Sequence, residues 1–302
     1  MPVSVRQRRP VWKRALTDQQ IKIAFITPTL LLLLAMNIFP LIWSLYLSFC
    51  EYYADQPESP RWVGIANYRA LLTDPEIWHS FQVTAAFVFL AVGTEFILGF
   101  GLALLFHRSF AGKGLLLTLF LIPMMLSPVV VGLFWKFIFD PNWGIIDYLL
   151  RLPGFEWVTH PRRALWALVI VDAWMWTPFI MLIALAGLSA IPQSLYEAAA
   201  VDRASSWFKF RHITLPMVSP LLIIALLIRT MDAAKLFDLP WTLTDEGGPG
   251  NATETVSLLI YRLAFKMQDT GSSCALAYIL LVIIIALSNL FLRQLKKVKG
   301  EL

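Results

Sequence analysis

Several charged side chains stand inside otherwise apolar stretches of this sequence, and they are its first candidates for chemistry. Asp172, Trp176 and Phe179 recur at the spacing i, i+4, i+7, which places them on one face of a helix. A later stretch carries a similar face, which comprises Arg229, Asp232, Ala233 and Leu236. Because polar groups beside aromatic rings suit a hydroxyl-rich ligand, we predict that these two faces line a substrate path, to which Trp135 adds a further ring.

The same charges also allow a purely structural interpretation. Arg229 and Asp232 are three residues apart, the spacing of an ion pair on one helix face, and Asp172 offers a second carboxylate. If either carboxylate closes on Arg229, the path is neutral. If Asp232 turns instead to Lys235, the guanidinium stays free for a phosphate or a sulfonate. Glu95, in the middle of another apolar stretch, is expected to be structural.

The residue types that support catalysis are present but scattered. The four histidines fall in loops or at the ends of apolar stretches: His79, His107, His160 and His212. No Ser/His/Asp set, close carboxylate pair or metal-ligand cluster occurs at a shared depth, and no GxxxxGK(S/T) loop is present to cradle a nucleotide phosphate. The sequence therefore predicts a chain that is not an enzyme, that does not hydrolyse ATP and that binds no cofactor or metal itself.

Long apolar stretches surround these charges and define the class of protein. The chain is 58% hydrophobic and 15% charged, whereas soluble proteins have about 45–50% apolar and about 25% charged residues. Since about 20 apolar residues cross a bilayer, we predict an all-α membrane protein with six transmembrane helices in one domain over residues 23–293. The predicted spans cover residues 23–50, 81–106, 114–137, 164–188, 213–238 and 271–292.

Basic residues are distributed unequally between the segments that connect the predicted spans. Segments on the side of both termini hold fifteen basic and four acidic residues, and those on the other side hold seven and thirteen. Because lysine and arginine favour the cytoplasmic side, we expect both termini to be cytoplasmic. The basic ends, residues 1–22 and 294–302, then suit anionic lipid headgroups, and no nucleic-acid partner is expected.

The second outer loop, residues 140–163, is bordered by tryptophans. Trp143, Trp157 and Trp166 lie near the ends of predicted spans, where aromatic residues commonly anchor a chain at the membrane–water interface. We therefore predict an aqueous loop with interfacial tryptophans at its edges.

The longest inner connection, residues 189–212, has helical signals of its own. Ser194 and Glu197 have the spacing of a capping box, and Ser205 is suited to cap the helix that follows. We predict two short helices parallel to the membrane that present Glu197 and Asp202 to the cytoplasm. An ordinary connecting helix would fit the same signals.

The run EAAAVDRASSWFKFRHITLP, which begins at Glu197, resembles the EAA loop of permease subunits in binding-protein-dependent ABC importers. The positions that match are Glu197, Ala198, Ala199, Asp202, Ala204, Ile213, Leu215 and Pro216. Arg203 departs from the pattern, because family members usually have glycine there. Either Arg203 adopts a left-handed turn at a cost of about 1–2 kcal/mol, or the helix runs on through it. The resemblance implies that residues 197–204 form a coupling helix, between spans four and five, that docks on an ATPase.

Two further segments narrow the resemblance. VGIANY at residues 63–68 and FDLPWTLTDEGGPGNATET at residues 237–255 are similar to carbohydrate importers of the maltose and glycerol-phosphate type, specifically to the first of their two non-identical permeases. The resemblance implies a heterodimer with a homologous permease, two cytoplasmic ATPase subunits that hold ATP and Mg, and an extracytoplasmic solute-binding protein.

The chain itself would then form part of the path for a sugar or sugar derivative across the bacterial inner membrane. A stand-alone secondary transporter or channel is the alternative. Such a protein would not need a docking loop, and inverted repeats would be expected in its sequence.

Overall fold

The computed structural model describes residues 17–152 and 154–300. Most of the basic N-terminal segment, residues 1–16, and the last two residues of the tail therefore lie outside the described residues. Within the described ranges the chain is helical apart from turns, loops and one pair of two-residue strands, in which β1 (Cys50–Glu51) runs antiparallel to β2 (Arg61–Trp62). These features agree with the all-α class that the sequence predicts.

Fourteen α-helices are described, some joined by π-helical or 3₁₀ turns. They are α1 (Asp18–Leu33), α2 (Phe39–Ser48), α3 (Ala66–Thr73), α4 (Pro75–His107), α5 (Lys113–Leu121), α6 (Pro128–Ile138), α7 (Ile145–Leu150), α8 (Pro161–Ser189), α9 (Gln193–Val201), α10 (Ser206–Lys209), α11 (Leu215–Ala233), α12 (Asp238–Thr242), α13 (Val256–Tyr261) and α14 (Thr270–Lys299).

Five helical stretches among the described residues are long and apolar enough to cross a membrane. They are Asp18–Ser48, Pro75–His107, Pro161–Ser189, Ser206–Ala233 and Thr270–Val298. Each overlaps one of the predicted spans. The first of them buries only 6% of its most apolar window within the chain, so nearly all of its surface is left for lipid or another subunit.

The predicted third span, residues 114–137, is not one continuous helix. α5 ends at Leu121, a 3₁₀ turn occupies Pro123–Met125, and α6 begins at Pro128. Proline has no N–H to donate, and it disfavours helical geometry in the residue before it. Ser127 accordingly has ψ 133°, an extended value. The two prolines therefore divide this apolar segment into two short helices.

The packing of the bundle is centred on α8, which is the most buried of the long helices. Its main neighbour is α4, and the two backbones approach closely at Gly99. A Cβ atom at this position would lie 2.7 Å from Ile180 Cβ and 2.9 Å from the carbonyl oxygen of Thr177. Glycine at this point therefore fixes how near α4 and α8 can come to each other.

We predict that Gly99→Ala lowers the thermal stability of the purified protein. The added methyl group would meet a backbone oxygen that cannot move aside alone, and overpacking of this kind costs about 1–3 kcal/mol. The control is Gly101→Ala on the same helix, where no atom lies within 4 Å of the added methyl group. Equal melting temperatures for the two variants would contradict the close approach.

Candidate functional site

Arg229 is the centre of an ion cluster inside the bundle. Its Nε donates to Glu95 Oε2 (2.7 Å) and its Nη2 donates to Glu95 Oε1 (2.8 Å), which makes a bidentate pair. Nη2 also donates to Asp172 Oδ2 (2.7 Å), and Nη1 donates to Asp232 Oδ2 (2.9 Å). The side chains of Arg229, Glu95 and Asp172 are at most 2% exposed, whereas that of Asp232 is 53% exposed.

Three long helices supply the members of this cluster. Glu95 comes from α4, Asp172 from α8, and Arg229 and Asp232 from α11. Removing one partner of a buried ion pair typically costs about 3–5 kcal/mol, because the remaining charge stays buried without compensation. The cluster therefore holds the three helices in one register, and the bidentate contact gives Glu95 the structural position that the sequence suggested.

Within the described part of the chain, Arg229 has only one N–H group left that could donate a hydrogen bond to a ligand. A guanidinium has five N–H groups, and four are directed to the three carboxylates among the described residues. The remaining N–H belongs to Nη1, the nitrogen that also bonds the half-exposed Asp232. The guanidinium carbon lies 4.8 Å from the ring centroid of Trp176, at the distance of a cation–π contact.

A cavity of 190 Å³ opens beside this cluster. Six of the predicted path residues line it: Asp172, Trp176, Arg229, Asp232, Ala233 and Leu236. Pro128, Lys235, Phe237, Asp238 and Leu239 complete the lining. Lys235 is therefore near the cluster, but Asp232 turns to Arg229 and not to Lys235. Of the two arrangements that the sequence left open, the structure has the closed one.

Phe179 and Trp135 lie away from this cavity. Phe179 packs edge-on against Trp176, with ring centroids 6.4 Å apart. Trp135 packs against Phe139 and Trp174. Both residues support neighbouring rings, and the helical spacing alone could not separate rings that line a cavity from rings that stand behind it.

Two short helices line the cavity on the side where the sequence predicts the outer end. α6 begins at Pro128, and α12 carries Asp238 and Leu239. The two helices pack at Gly132, where an added Cβ atom would collide with the side chain of Thr242. Lys136 Nζ bonds Asp245 Oδ1 at 2.6 Å beyond this contact. Sequence reasoning missed this packing of α6 on α12, because it treated residues 114–137 and 213–238 as continuous spans.

A second candidate region lies in the connection of residues 189–212. α9 spans Gln193–Val201, so it covers Glu197, Ala198 and Ala199. The predicted capping box at Ser194 is wrong, because Pro192 is the N-cap residue and the helix makes no side-chain cap bond there. Ser205 does cap the next helix, since its Oγ accepts from the backbone N–H of Phe208 at 3.2 Å.

The second of the two predicted short helices is not a separate element. α10 continues through a π-helical turn, Phe210–Thr214, into α11, so that one helical stretch runs over Ser206–Ala233. Pro216 has no backbone N–H to donate near this turn. A π turn changes the pairing of N–H and C=O groups locally, so that the helix can continue past the missing donor. The connection therefore has one free-standing short helix, α9.

Arg203 ends α9 in the left-handed conformation, with φ 53°. The N–H of Arg203 donates to Ala200 O (3.1 Å), and the N–H of Ala204 donates to Ala199 O (2.9 Å). These two bonds form a Schellman motif, which satisfies carbonyl groups at the end of the helix. The alternative in which the helix runs on through Arg203 is therefore wrong, and the chain accepts a strained arginine where glycine would fit freely.

α9 presents an exposed face beside a groove. Glu197 and Ala198 are exposed, whereas Ala199 is buried. A groove of 550 Å³ lies between α9 and α10, and its lining includes Leu195, Ala199, Asp202, Ala204, Ser205, Phe208 and Ile213. The hydroxyl of Tyr196 is 2.8 Å from Thr214 Oγ1, which links α9 to the start of α11. No sequence signal identified this link, because a Tyr–Thr pair has no characteristic spacing.

Comparisons with known proteins place the chain among membrane transport components. Residues 95–298 match the model of the family described as binding-protein-dependent transport system inner membrane component. The trehalose/maltose transport system permease protein MalF of Thermococcus litoralis is 36% identical over 271 residues, which cover 89% of this chain and 91% of that protein. The sulfoquinovosyl glycerol transport system permease protein SmoG of Agrobacterium fabrum is 31% identical over 292 residues, 95% of this chain and 94% of that one.

A solved structure has the same fold. It is the crystal structure of a bacterial ABC transporter involved in the import of the acidic polysaccharide alginate. The TM-score is 0.78 at 21% sequence identity, and the match covers 92% of this chain and 95% of the other.

We predict that Arg203→Gly raises the stability of α9. Glycine adopts the left-handed conformation without the steric cost that a Cβ atom imposes, which is worth about 1 kcal/mol. Ala200→Gly is the matched control, because this exposed position lies within the helix and glycine costs about 1 kcal/mol there. Hydrogen exchange of the α9 amides would measure both changes, and slower exchange only in Arg203→Gly is expected. Faster exchange in both variants would contradict the left-handed cap.

Proposed function

This chain belongs to the family of binding-protein-dependent transport system inner membrane components, and on that premise we propose that it is one permease subunit of an ATP-driven importer for a neutral sugar or glycoside. The observation that carries the solute site is the cavity beside Arg229, where charged groups of the membrane helices α8 and α11 meet an aromatic ring. Ionisable groups within membrane helices usually mark a solute path or its closure. A stand-alone secondary transporter is the disfavoured alternative, because the family operates with a binding protein.

The chain crosses the membrane six times in this proposal. Five crossings are the long helical stretches, and the third is the divided segment from Lys113 to Ile138. Its 26 residues would reach about 39 Å if they were fully helical, which exceeds the roughly 30 Å of hydrocarbon. Non-helical backbone at membrane depth is tolerated where it is buried in protein or lines a cavity, and Pro123, within the break between α5 and α6, is buried. Both termini would then be cytoplasmic, in accord with the distribution of basic residues.

ATP hydrolysis would take place on partner subunits, and the movement that it drives would be transmitted to the cavity through α9. We assign docking on an ATPase subunit to the exposed face at Glu197 and to the neighbouring positions Ala198, Ala199, Asp202, Arg203 and Ala204. The Tyr196–Thr214 contact ties α9 to the helical stretch Ser206–Ala233, whose far end carries Arg229. A displacement of α9 would therefore be transmitted to the ion cluster through one hydrogen bond and one continuous helical stretch.

The charges around Arg229 support a neutral solute. Three carboxylates surround one guanidinium, so the site has no spare positive charge on Arg229 for a phosphate or sulfonate. Asp232 is half-exposed and can accept a hydrogen bond from a hydroxyl, and the last N–H on Nη1 can donate one. Trp176 offers an apolar face to a sugar ring. The relatives transport both uncharged and sulfonated solutes by their names, so this distinction rests on the geometry.

We predict that Glu197→Lys abolishes solute uptake by the assembled importer while the second permease still co-purifies. A lysine would place a positive charge on the face where a carboxylate meets the ATPase subunit. Glu58→Lys is the control, since it makes the same change of charge on the exposed loop between β1 and β2. Uptake and ATP hydrolysis in proteoliposomes measure the effect, and undiminished uptake in Glu197→Lys would refute the docking assignment.

We further predict that Asp232→Asn changes the preference for solute charge. The neutral amide removes the half-exposed negative charge at the cavity, so uptake of a sulfonated glycoside should rise relative to its uncharged analogue. Asp238→Asn is the matched control, because Asp238 lines the same cavity without an ion pair to Arg229. Competition between the two solutes for uptake gives the ratio. An unchanged ratio in Asp232→Asn would show that this carboxylate does not set the charge preference.

A further inference from the structure

The short helix α7 turns its apolar side outward. Ile145, Tyr148 and Leu149 recur at i, i+3 and i+4 and share one exposed face, on which Tyr148 is 83% and Leu149 67% exposed. Trp143, just before the helix, is 89% exposed. A loop helix surrounded by water would normally turn such residues towards the protein, so this arrangement is the reverse of the usual one.

The inner face of α7 is held by specific contacts, so the outward direction of the apolar residues is fixed. Asp147 is buried, and its carboxylate accepts from the backbone N–H of Phe155 (3.0 Å) and from Nε1 of Trp157 (2.6 Å). Ile146 packs against the apolar cluster to which α4 contributes Phe87. The one acidic residue of the helix is therefore withdrawn from its surface, and Trp157 packs, partly buried, against the same apolar cluster.

The position of α7 in the chain identifies what covers its exposed face. The cluster that it joins is built largely from the outer halves of the membrane helices α4 and α8. Its exposed face is followed in sequence by Arg151 and, at the start of α8, by Arg162, both exposed. Glu156 is the acidic group exposed between them. Tryptophan and tyrosine beside arginine are the residues that settle at the headgroup region of a bilayer.

We propose that α7 lies in the outer interface of the phospholipid bilayer, with Ile145 and Leu149 directed into the acyl region and with Tyr148 and Arg151 at the headgroups. The segment between α6 and α8 is then an interfacial helix of the kind that lies in the membrane plane, in place of the aqueous loop that the sequence predicts. This proposal concerns the lipid surface alone and holds whichever solute the chain transports.

The test uses the assembled importer in lipid nanodiscs, with a fluorophore at one cysteine. Cys50 and Cys274 are the natural cysteines of the chain, and Cys50→Ala with Cys274→Ala provides the background. Bimane is attached at Leu149→Cys, at Glu156→Cys as the control in the same loop, and at Val282→Cys on the exposed apolar surface of α14. Fluorescence is compared between ordinary phospholipids and phospholipids brominated on their acyl chains.

Brominated lipid should quench the label at position 149 to an extent comparable with position 282, and should leave the label at position 156 bright. Equal fluorescence of the position 149 label in the two lipids would overturn the proposal. Aqueous iodide then identifies the true environment, because it quenches a label that faces water and spares one that another protein subunit covers. Either of these two outcomes excludes the bilayer as the partner of α7.

Discussion

The fold depends on the neutralisation of one buried arginine. A charge in the membrane interior is costly unless a partner compensates it, and Arg229 finds its partners on α4, α8 and its own helix. Glu95 is 134 residues away in sequence and Asp172 is 57 residues away, so the pairing joins distant parts of the chain. Apolar contacts between membrane helices have no comparable preference for one register, because lipid chains compete for the same surfaces. The ion cluster supplies that preference.

The same cluster connects the two ends of the protein. On one side, the cavity beside Arg229 is lined by residues of α6 and α12, which meet at Gly132 and Thr242. On the other side, the helix that carries Arg229 begins next to α9 and is tied to it by Tyr196 and Thr214. The cavity and the α9 contact are thus joined by one helical stretch, which packs on α8 and α4 beside their close contact at Gly99.

Much of this architecture follows from the sequence, and the exceptions have physical causes. Uninterrupted apolar runs indicate the long helices because the bilayer demands a fixed length of apolar chain. The third run was predicted as one continuous helix because its composition is apolar. Pro123 and Pro128 lack backbone N–H donors, and the helix is interrupted between α5 and α6. Helical spacing correctly grouped four residues that line one cavity, namely Asp172, Trp176, Arg229 and Asp232. It could not show that Phe179 and Trp135 lie behind the rings near that cavity.

Predictions from local sequence patterns were also wrong where several small energy terms compete. The cost of a left-handed arginine favours continuation of the helix at Arg203, yet the two Schellman bonds and the turn to α10 outweigh it. The orientation of α7 was not predictable either, because alternation of polar and apolar residues does not say which face meets the protein. Burial of Asp147 under Trp157 decides it.

The helical stretch Ser206–Ala233, which includes the π turn at Phe210–Thr214, connects the α9 contact to the central charge. From Ser206 to Arg229 it measures about 35 Å at 1.5 Å per residue. A rigid tilt of about 5° at the α9 end therefore displaces the guanidinium by about 3 Å, which is comparable with the length of a hydrogen bond. The contacts of 2.7–2.9 Å around Arg229 cannot survive such a shift unchanged. A small tilt of this stretch is thus large enough to exchange the partners of the central charge.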